Sequence, residues 1–235
     1  MINWVKKLFP LNRSLTGEGT LKTLKFFKKI NPEFKIIKFK SGEKVFDWTI
    51  PYEWKITEAF IKHIKTKKKF AEFKKNNLHI LNYSVGVDKV IDLNKLKKKI
   101  YTLKKIPNAV PYITSYYKRD WGFCLDYKTF KNLPKGKYRA YINSDHHKGN
   151  LNLAHCVLKG KMKKEIFFSS YVCHPSMANN ELSGPVLLNY ILCHLKENYK
   201  STKYSYRFVL LPETIGSIAY LSKHYKEMKK NIIAG

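Results

Sequence analysis

Two ionisable side chains stand in segments crowded with polar groups: His174 in YVCHPSMANNELSGP (171–185) and Glu213 in LLPETIGSIAYL (210–221). An imidazole offers a lone pair to a metal, or takes a proton near neutral pH. A carboxylate offers a hard ligand or a general base. Residues 173–184 bring an imidazole, two amides (Asn179, Asn180), a carboxylate (Glu181) and a hydroxyl (Ser183) into one short stretch. Each has an ordinary role too. A loop His sits at the surface, 179–183 caps a helix, and Glu213 after Pro212 is a first-turn acid favoured by the helix dipole. Their joint placement is what points to chemistry.

That placement follows from the flanking elements. Residues 166–171 (IFFSSY) read as a buried strand, and 185–195 as a helix with Pro in its first turn. Residues 206–211 (YRFVLL) read as a second apolar strand. Residues 217–229 form a helix with Ile218, Leu221 and Tyr225 on one face, and 231–234 (NIIA) start a third strand. The order β-α-β-α-β specifies a parallel, helix-covered sheet. His174 and Glu213 then fall at carboxyl ends of parallel strands, on one sheet edge, where open α/β folds bind ligands.

Upstream, Leu21, Leu24, Phe27 and Ile30 recur at helical spacing until Asn31-Pro32 ends the helix, and 34–40 (FKIIKFK) reads as a strand with Lys on its solvent side. From Val45 to about Ile142 the texture changes to short strand-like pieces (VFDWTIP, KFAEF, HILNY, YRAYI). One short helix at Leu93, Leu96 and Ile100 interrupts them, and Pro107, Pro111 and Pro134 punctuate the loops. This stretch reads as a small β-rich module holding the aromatic run PYITSYYKRDWGFC (111–124). The turn at 148–150 leads back out of it.

The formal charge is +29, with 44% hydrophobic and 14% aromatic residues, so the chain builds a core despite its charge. Arg13, Arg119, Arg139 and Arg207 are the only arginines; the remaining positive charge is Lys, spread in runs such as 67–69 and 97–99. Bidentate phosphate and guanine contacts favour Arg, so no specific nucleic-acid partner is expected. Cys124, Cys156, Cys173 and Cys193 form no C-x-x-C pair, and no apolar run reaches the length of a membrane helix. A cytoplasmic chain with reduced thiols, no membrane segment and no structural zinc knuckle is expected.

Three blocks, LFPLNRSLTGEGT (8–20), YVCHPSMANNELSGP and LLPETIGSIAYL, resemble in order the signatures of the bacterial aminopeptidase-like family, which shares the zinc-exopeptidase fold of leucyl aminopeptidases. VFDWTIPYEW (45–54), NNLHILNYSVGVD (76–88) and the aromatic run resemble the β-rich domain that family inserts into its core. The resemblance implies an α/β fold: a zinc-exopeptidase-like parallel or mixed sheet covered by helices. The core occupies 1–44 and 148–235, and the inserted domain 45–147. It also implies zinc, one or two ions, with a metal-activated water attacking an amide or peptide bond and a Glu as general base.

Carried over by position, His174 matches the first His ligand and Asn180 the bridging Asp. Glu213 falls where the family has two adjacent acids, so it serves as either base or ligand. Asn180 brings no negative charge to offset two dications, which weakens binding of a second zinc. Glu181 is a candidate substitute ligand. The family's next acidic ligand and final His lie beyond a strand like 231–234, so the expectation is an incomplete ligand set, with His224 the one later imidazole. His146, His147 and His155 in 142–155 mark either a solvated turn or a metal-binding loop.

The function this implies is zinc hydrolysis of a small peptide or amide substrate, impaired in this chain. The alternative is a non-catalytic accessory protein of surface-polysaccharide biosynthesis, with the insert's rings offered to a sugar. An open sheet edge after 231–234 carries the expectation of homo-oligomer formation.

Overall fold

The computed structural model describes residues 1–235 and divides into two units, residues 1–53 with 147–235, and residues 54–146. The first opens with helices α1 (Ile2–Leu8) and α2 (Glu18–Ile30). Along α2, Thr20, Thr23, Leu24 and Phe27 are buried while Lys22, Lys25, Lys28 and Lys29 face solvent, the period of a one-sided helix. Strand β1 (Lys35–Lys40) follows, then a tight hairpin of Lys44–Val45 with Trp48–Thr49 that stays in this unit.

After the second unit come β2 (Asn150–Leu158), β3 (Met162–Tyr171), α3 (Ser183–Asn198), β4 (Tyr204–Leu211), α4 (Ile215–Asn231) and β5 (Ile232–Ala234). The sheet order is β1-β2-β4-β3-β5. β3 runs parallel to β4 and β5, whereas β2 is antiparallel to β4 and β1 antiparallel to β2. The sheet is therefore mixed: a parallel half carried by β3-α3-β4-α4-β5 and an antiparallel edge. The period-two alternation of β4 sorts the two cores. Phe208 and Leu210 pack with Leu24, Phe27, Val186 and Leu192 under α2 and α3. Val209 and Leu211 pack with Phe39, Leu153, Ile215 and Ala219 under α4.

The α4 face also buries a charge network. Arg207, 1% exposed, donates from Nε and Nη2 to the two oxygens of Glu165 at 2.6 and 3.0 Å. Its Nη1 donates to the Tyr220 hydroxyl at 2.8 Å, and Glu227 approaches Nη2 at 2.8 Å. Burial opposes the guanidinium's charge, but the Glu165 and Tyr220 hydrogen bonds outweigh it and raise its pKa. Beyond Tyr220, His155 Nδ1 lies 3.0 Å from the hydroxyl, and the His224 ring stacks on Tyr220 with centroids 4.4 Å apart. Burial, then the neighbouring His224 and Arg207, pull the His155 pKa down to about 4.

The second unit holds a four-stranded sheet ordered Lys69–Phe70, Glu53–His63, Lys137–His147, Val87–Asp92, and a short parallel pair, Ile100–Tyr101 with Phe123–Cys124. Some of its rings are core: Trp54, Phe60, Tyr83, Phe123 and Tyr138 are buried, and Trp54 stacks on Tyr83 and donates from Nε1 to Ser84 O at 2.9 Å, while the others, Tyr112, Tyr116 and Trp121 among them, are half-buried or exposed. Two segments read as strands take other forms. Residues 79–83 follow a 3-10 turn capped by the Asn76 side chain and pair only through isolated bridges. KFAEF breaks at Ala71, whose φ is 48°. No helix of the chain is long and apolar enough to cross a membrane.

Removing one partner of a buried pair leaves the other uncompensated. Glu165→Gln is expected to lower unfolding free energy by about 3–5 kcal/mol in urea titration, and a Glu165→Leu/Arg207→Met double variant to recover much of that loss. His155 titrates lower folded than its ordinary 6.5, so between 6.5 and about 4 the unfolded chain binds a proton that the folded one refuses. Stability is therefore full above this window and lost as pH falls through it. Thermal melts of His155→Asn across the window should show a shallower pH slope than the parent.

Candidate metal centre

β3 and β4 are parallel neighbours whose last paired residues are Tyr171 and Leu211, and Val172 N donates to Leu211 O at 2.9 Å. The two strands end level. His174, three residues past one end, and Glu213, two past the other, therefore meet: His174 Nε2 lies 3.3 Å from Glu213 Oε2. The Glu213 amide donates to Cys173 Sγ at 3.3 Å and ties the two loops together. Thr214 follows with φ 57° and ψ −79°, a conformation strained for a β-branched residue, directly before α4.

Beyond His174 the chain turns at Ser176 (φ 50°) and winds through 178–182 as one π-helical turn into α3. The helix start lies hard against β3. A Cβ on Gly184 would stand 2.2 Å from Ser170 Oγ, so only glycine fits. The wide turn sends Glu181 back beneath His174. Glu181 is 1% exposed; its Oε1 accepts from His174 N at 2.8 Å, and its Oε2 pairs with His174 Nδ1 at 2.8 Å. Arg13, also buried, reaches in from the loop between α1 and α2. Its Nε donates to His174 O at 2.9 Å and lies 3.8 Å from Glu181 Oε1, while Nη1 donates to Leu8 O at 2.6 Å.

These contacts assign the imidazole's protons. Nδ1 faces a carboxylate and carries the hydrogen, which leaves Nε2 with a lone pair. Nε2 in turn faces a second carboxylate at 3.3 Å, a pairing that either a proton on Nε2 or a cation between the two atoms satisfies. A metal ion fits. Two corners of a tetrahedron with bonds of about 2.0 Å are about that far apart, and Cys173 Sγ adds a third donor within 4.8 Å of the other two. A carboxylate behind a metal-facing His is the usual support for such a ligand.

Burial raises the Cys173 thiol, so it stays neutral, with Glu181 pushing the same way. Burial lowers Arg13 to about 10 against the raising pull of Glu181 and Cys173, which leaves it charged at neutral pH. Burial, then Glu181 and Glu213, raise the Tyr171 phenol, opposed by a hydrogen bond from the Asn180 side chain.

The structure thus brings His174 and Glu213 together. Asn180 is exposed at the rim, hydrogen-bonded to Tyr171, whose ring meets His174 edge-on at 5.4 Å. Both oxygens of Glu181 are taken up by His174, so it supports the imidazole from behind instead of substituting for a ligand. His224 belongs to the Tyr220 network, and the histidines of 142–155 diverge: His155 faces Tyr220 and His146 packs against Tyr83 at 5.5 Å. Arg13 and Cys173 escaped the sequence reading. Arg13 was marked by rarity, one of four arginines in a lysine-rich chain, and Cys173 by its place beside His174.

Residues 2–235 match the family model described as "Domain of unknown function (DUF4910)". A Clostridium acetobutylicum protein described as a "Putative polysaccharide biosynthesis protein with aminopeptidase-like domain" is 42% identical over 227 residues, 97% of this chain and 51% of its own length. The crystal structure of a "putative peptidase" from that organism superposes with a TM-score of 0.93 at 42% identity, over 97% of this chain and 53% of that one. At 10% identity, the Peptidase M28 precursor of Shewanella amazonensis (TM-score 0.61, 99% of this chain, 69% of that one) has the same fold. So does the zinc aminopeptidase of Bacillus subtilis (TM-score 0.57, 97% and 66%, also at 10% identity). The chain spans about half the length of its Clostridium relative. Its mixed, helix-covered sheet has the M28 zinc aminopeptidase fold that the three sequence blocks implied.

Proposed function

We propose, from the premise that this chain belongs to the DUF4910 family, that it carries an aminopeptidase-type hydrolytic site for a small peptide or amide, with zinc as its cation. The observation behind this is the 3.3 Å approach of His174 Nε2 to Glu213 Oε2, with the other ring nitrogen held by a buried carboxylate. The fold shared with M28 aminopeptidases and the "aminopeptidase-like domain" in the relative's description support it.

His174 would hold the ion, with Glu213 facing it, Cys173 Sγ beside them and the Asn180 amide at the rim. Zinc, when bound, polarises a carbonyl and acidifies water. The chain's own residues do the rest. Glu181 keeps the proton on Nδ1 and the lone pair on Nε2. Glu213, whose side chain is 55% exposed, is the carboxylate that reaches solvent; it serves either as the ion's second ligand or as the base that takes a proton from water and passes it to the leaving amine. Tyr171, protonated, and Asn180 supply neutral hydrogen bonds where substrate would enter.

A second reading, a non-catalytic accessory role in surface-polysaccharide biosynthesis, draws on the neutral Asn180 and on the relative's printed description. Either role is assigned to the cytoplasm, a choice supported by four cysteines that are all unpaired.

Elemental analysis of the purified chain and of His174→Ala separates these readings. About one zinc per chain, lost in the variant, supports the hydrolytic site; no zinc in either protein sinks it and leaves the accessory role. Glu213→Gln then assigns that residue. Zinc retained with amide hydrolysis reduced by about 10²–10⁴-fold marks a base, whereas zinc lost marks a ligand.

A further inference from the structure

Three polar atoms of His174 are held by one buried pair. Its N–H and its Nδ1 are each 2.8 Å from a Glu181 oxygen, and its carbonyl accepts from Arg13 Nε at 2.9 Å. Both partners have side chains with 0% exposure, and they lie 3.8 Å apart. Only Nε2 is left to face the site. Nothing else about the residue is free to vary: rotating the ring breaks the Nδ1 contact, and shifting the main chain breaks the other two.

We propose that Glu181, clamped by Arg13, is the positioning residue of this site, fixing the tautomer and direction of His174 before any cation arrives. The inference rests on the reading of His174 as a cation ligand only for its consequence, not for the tautomer itself. A buried carboxylate whose sole task was stability would need partners of any kind. Here both oxygens converge on a single residue, and on the two hydrogens that together define that residue's orientation. The guanidinium supports the same residue from the other side, bonding its carbonyl while offsetting the carboxylate's charge. Arg suits this better than Lys, because its planar fork bonds Leu8 O and His174 O in fixed relative directions.

Glu181→Gln tests this with almost no change of shape. Gln has one acceptor and one donor where Glu has two acceptors. The His174 N–H can only donate, so it takes the amide oxygen, and the amide NH₂ is left facing Nδ1. Nδ1 must then accept, and the ring proton moves to Nε2.

Long-range ¹⁵N–¹H NMR of the metal-free protein, above the ordinary imidazole titration range, reads the tautomer directly. Zinc titration of the same samples reads the consequence. The expected result is Nδ1–H in the parent, Nε2–H in Glu181→Gln, and zinc affinity down by about 10–100-fold, with an unchanged backbone amide spectrum. Nε2–H in the parent overturns the proposal without any variant, so a misfolded substitution does not shield it. An unchanged tautomer in a folded Glu181→Gln also overturns it, as does a switched tautomer with undiminished zinc affinity. A switched tautomer in proteins that both ignore zinc upholds the positioning role and defeats the metal-site reading instead.

Discussion

A carboxylate with no exposed surface beneath the His174 imidazole is an expensive thing to build. Removing Glu181 from water costs several kcal/mol unless hydrogen bonds and a countercharge replace the lost solvation. Much of the local architecture supplies them. The π-helical turn at 178–182 aims the side chain inward, and Gly184 lets α3 start against β3. The loop between α1 and α2 exists in this form to deliver Arg13. Thr20 Oγ1 donates to Ser14 O at 2.5 Å, and Gly19 sits where a Cβ would come within 2.0 Å of Asn12 O. These are the residues of the 8–20 block, and their task is to hold one guanidinium in place.

The sheet supplies the rest through parallel pairing. Two adjacent parallel strands end at one level here, so the residues just past them meet without long side chains or long loops. Here the neighbours are β3 and β4, in contact though α3 separates them in sequence. The antiparallel edge of β2 and β1 widens the platform for α2 and α4 but contributes no ligand.

What the sequence revealed tracks how strongly each element is patterned. The parallel half alternates apolar runs with helix-period segments and was legible, as were His174 and Glu213 from their places at strand ends. β2 was not legible, because NLNLAHCVL carries Asn152 and His155 among its apolar residues and resembles a polar turn. The strand Glu53–His63 was missed because Lys55, Thr57 and Glu58 punctuate it. Glu181 is only a candidate ligand from the sequence, because its spacing fixes no role; a π turn changes the direction of every side chain on it, and nothing in the order of residues announces that turn. Arg13 acts across a long sequence gap, beyond the reach of local pattern, and Cys173 joins the site through its contact with the Glu213 amide, which only the fold shows. Composition held one clue. Lysine dominates the charge, and Lys69 and Lys223 lie over the rings of Phe60 and Phe39 at 4.1 and 3.9 Å. Three of the four arginines form forks: Arg13 and Arg207 are buried in theirs, and Arg139 grips Asp88 through two bonds of 2.6 and 2.7 Å.

Arg13 and His174 are 161 residues apart in the chain, and this separation has a meaning in time as well as in space. On a ribosome working at 5–20 residues per second, the arginine emerges roughly ten to thirty seconds before the histidine it must hold. During that interval α1 and α2 have no sheet to cover, and a lone helix of 13 residues is marginal in water. Residues 54–146 emerge within the same interval as a unit of their own. The site therefore closes only after residues 54–146 have emerged, and its assembly marks the moment at which the two segments of the first unit have found each other.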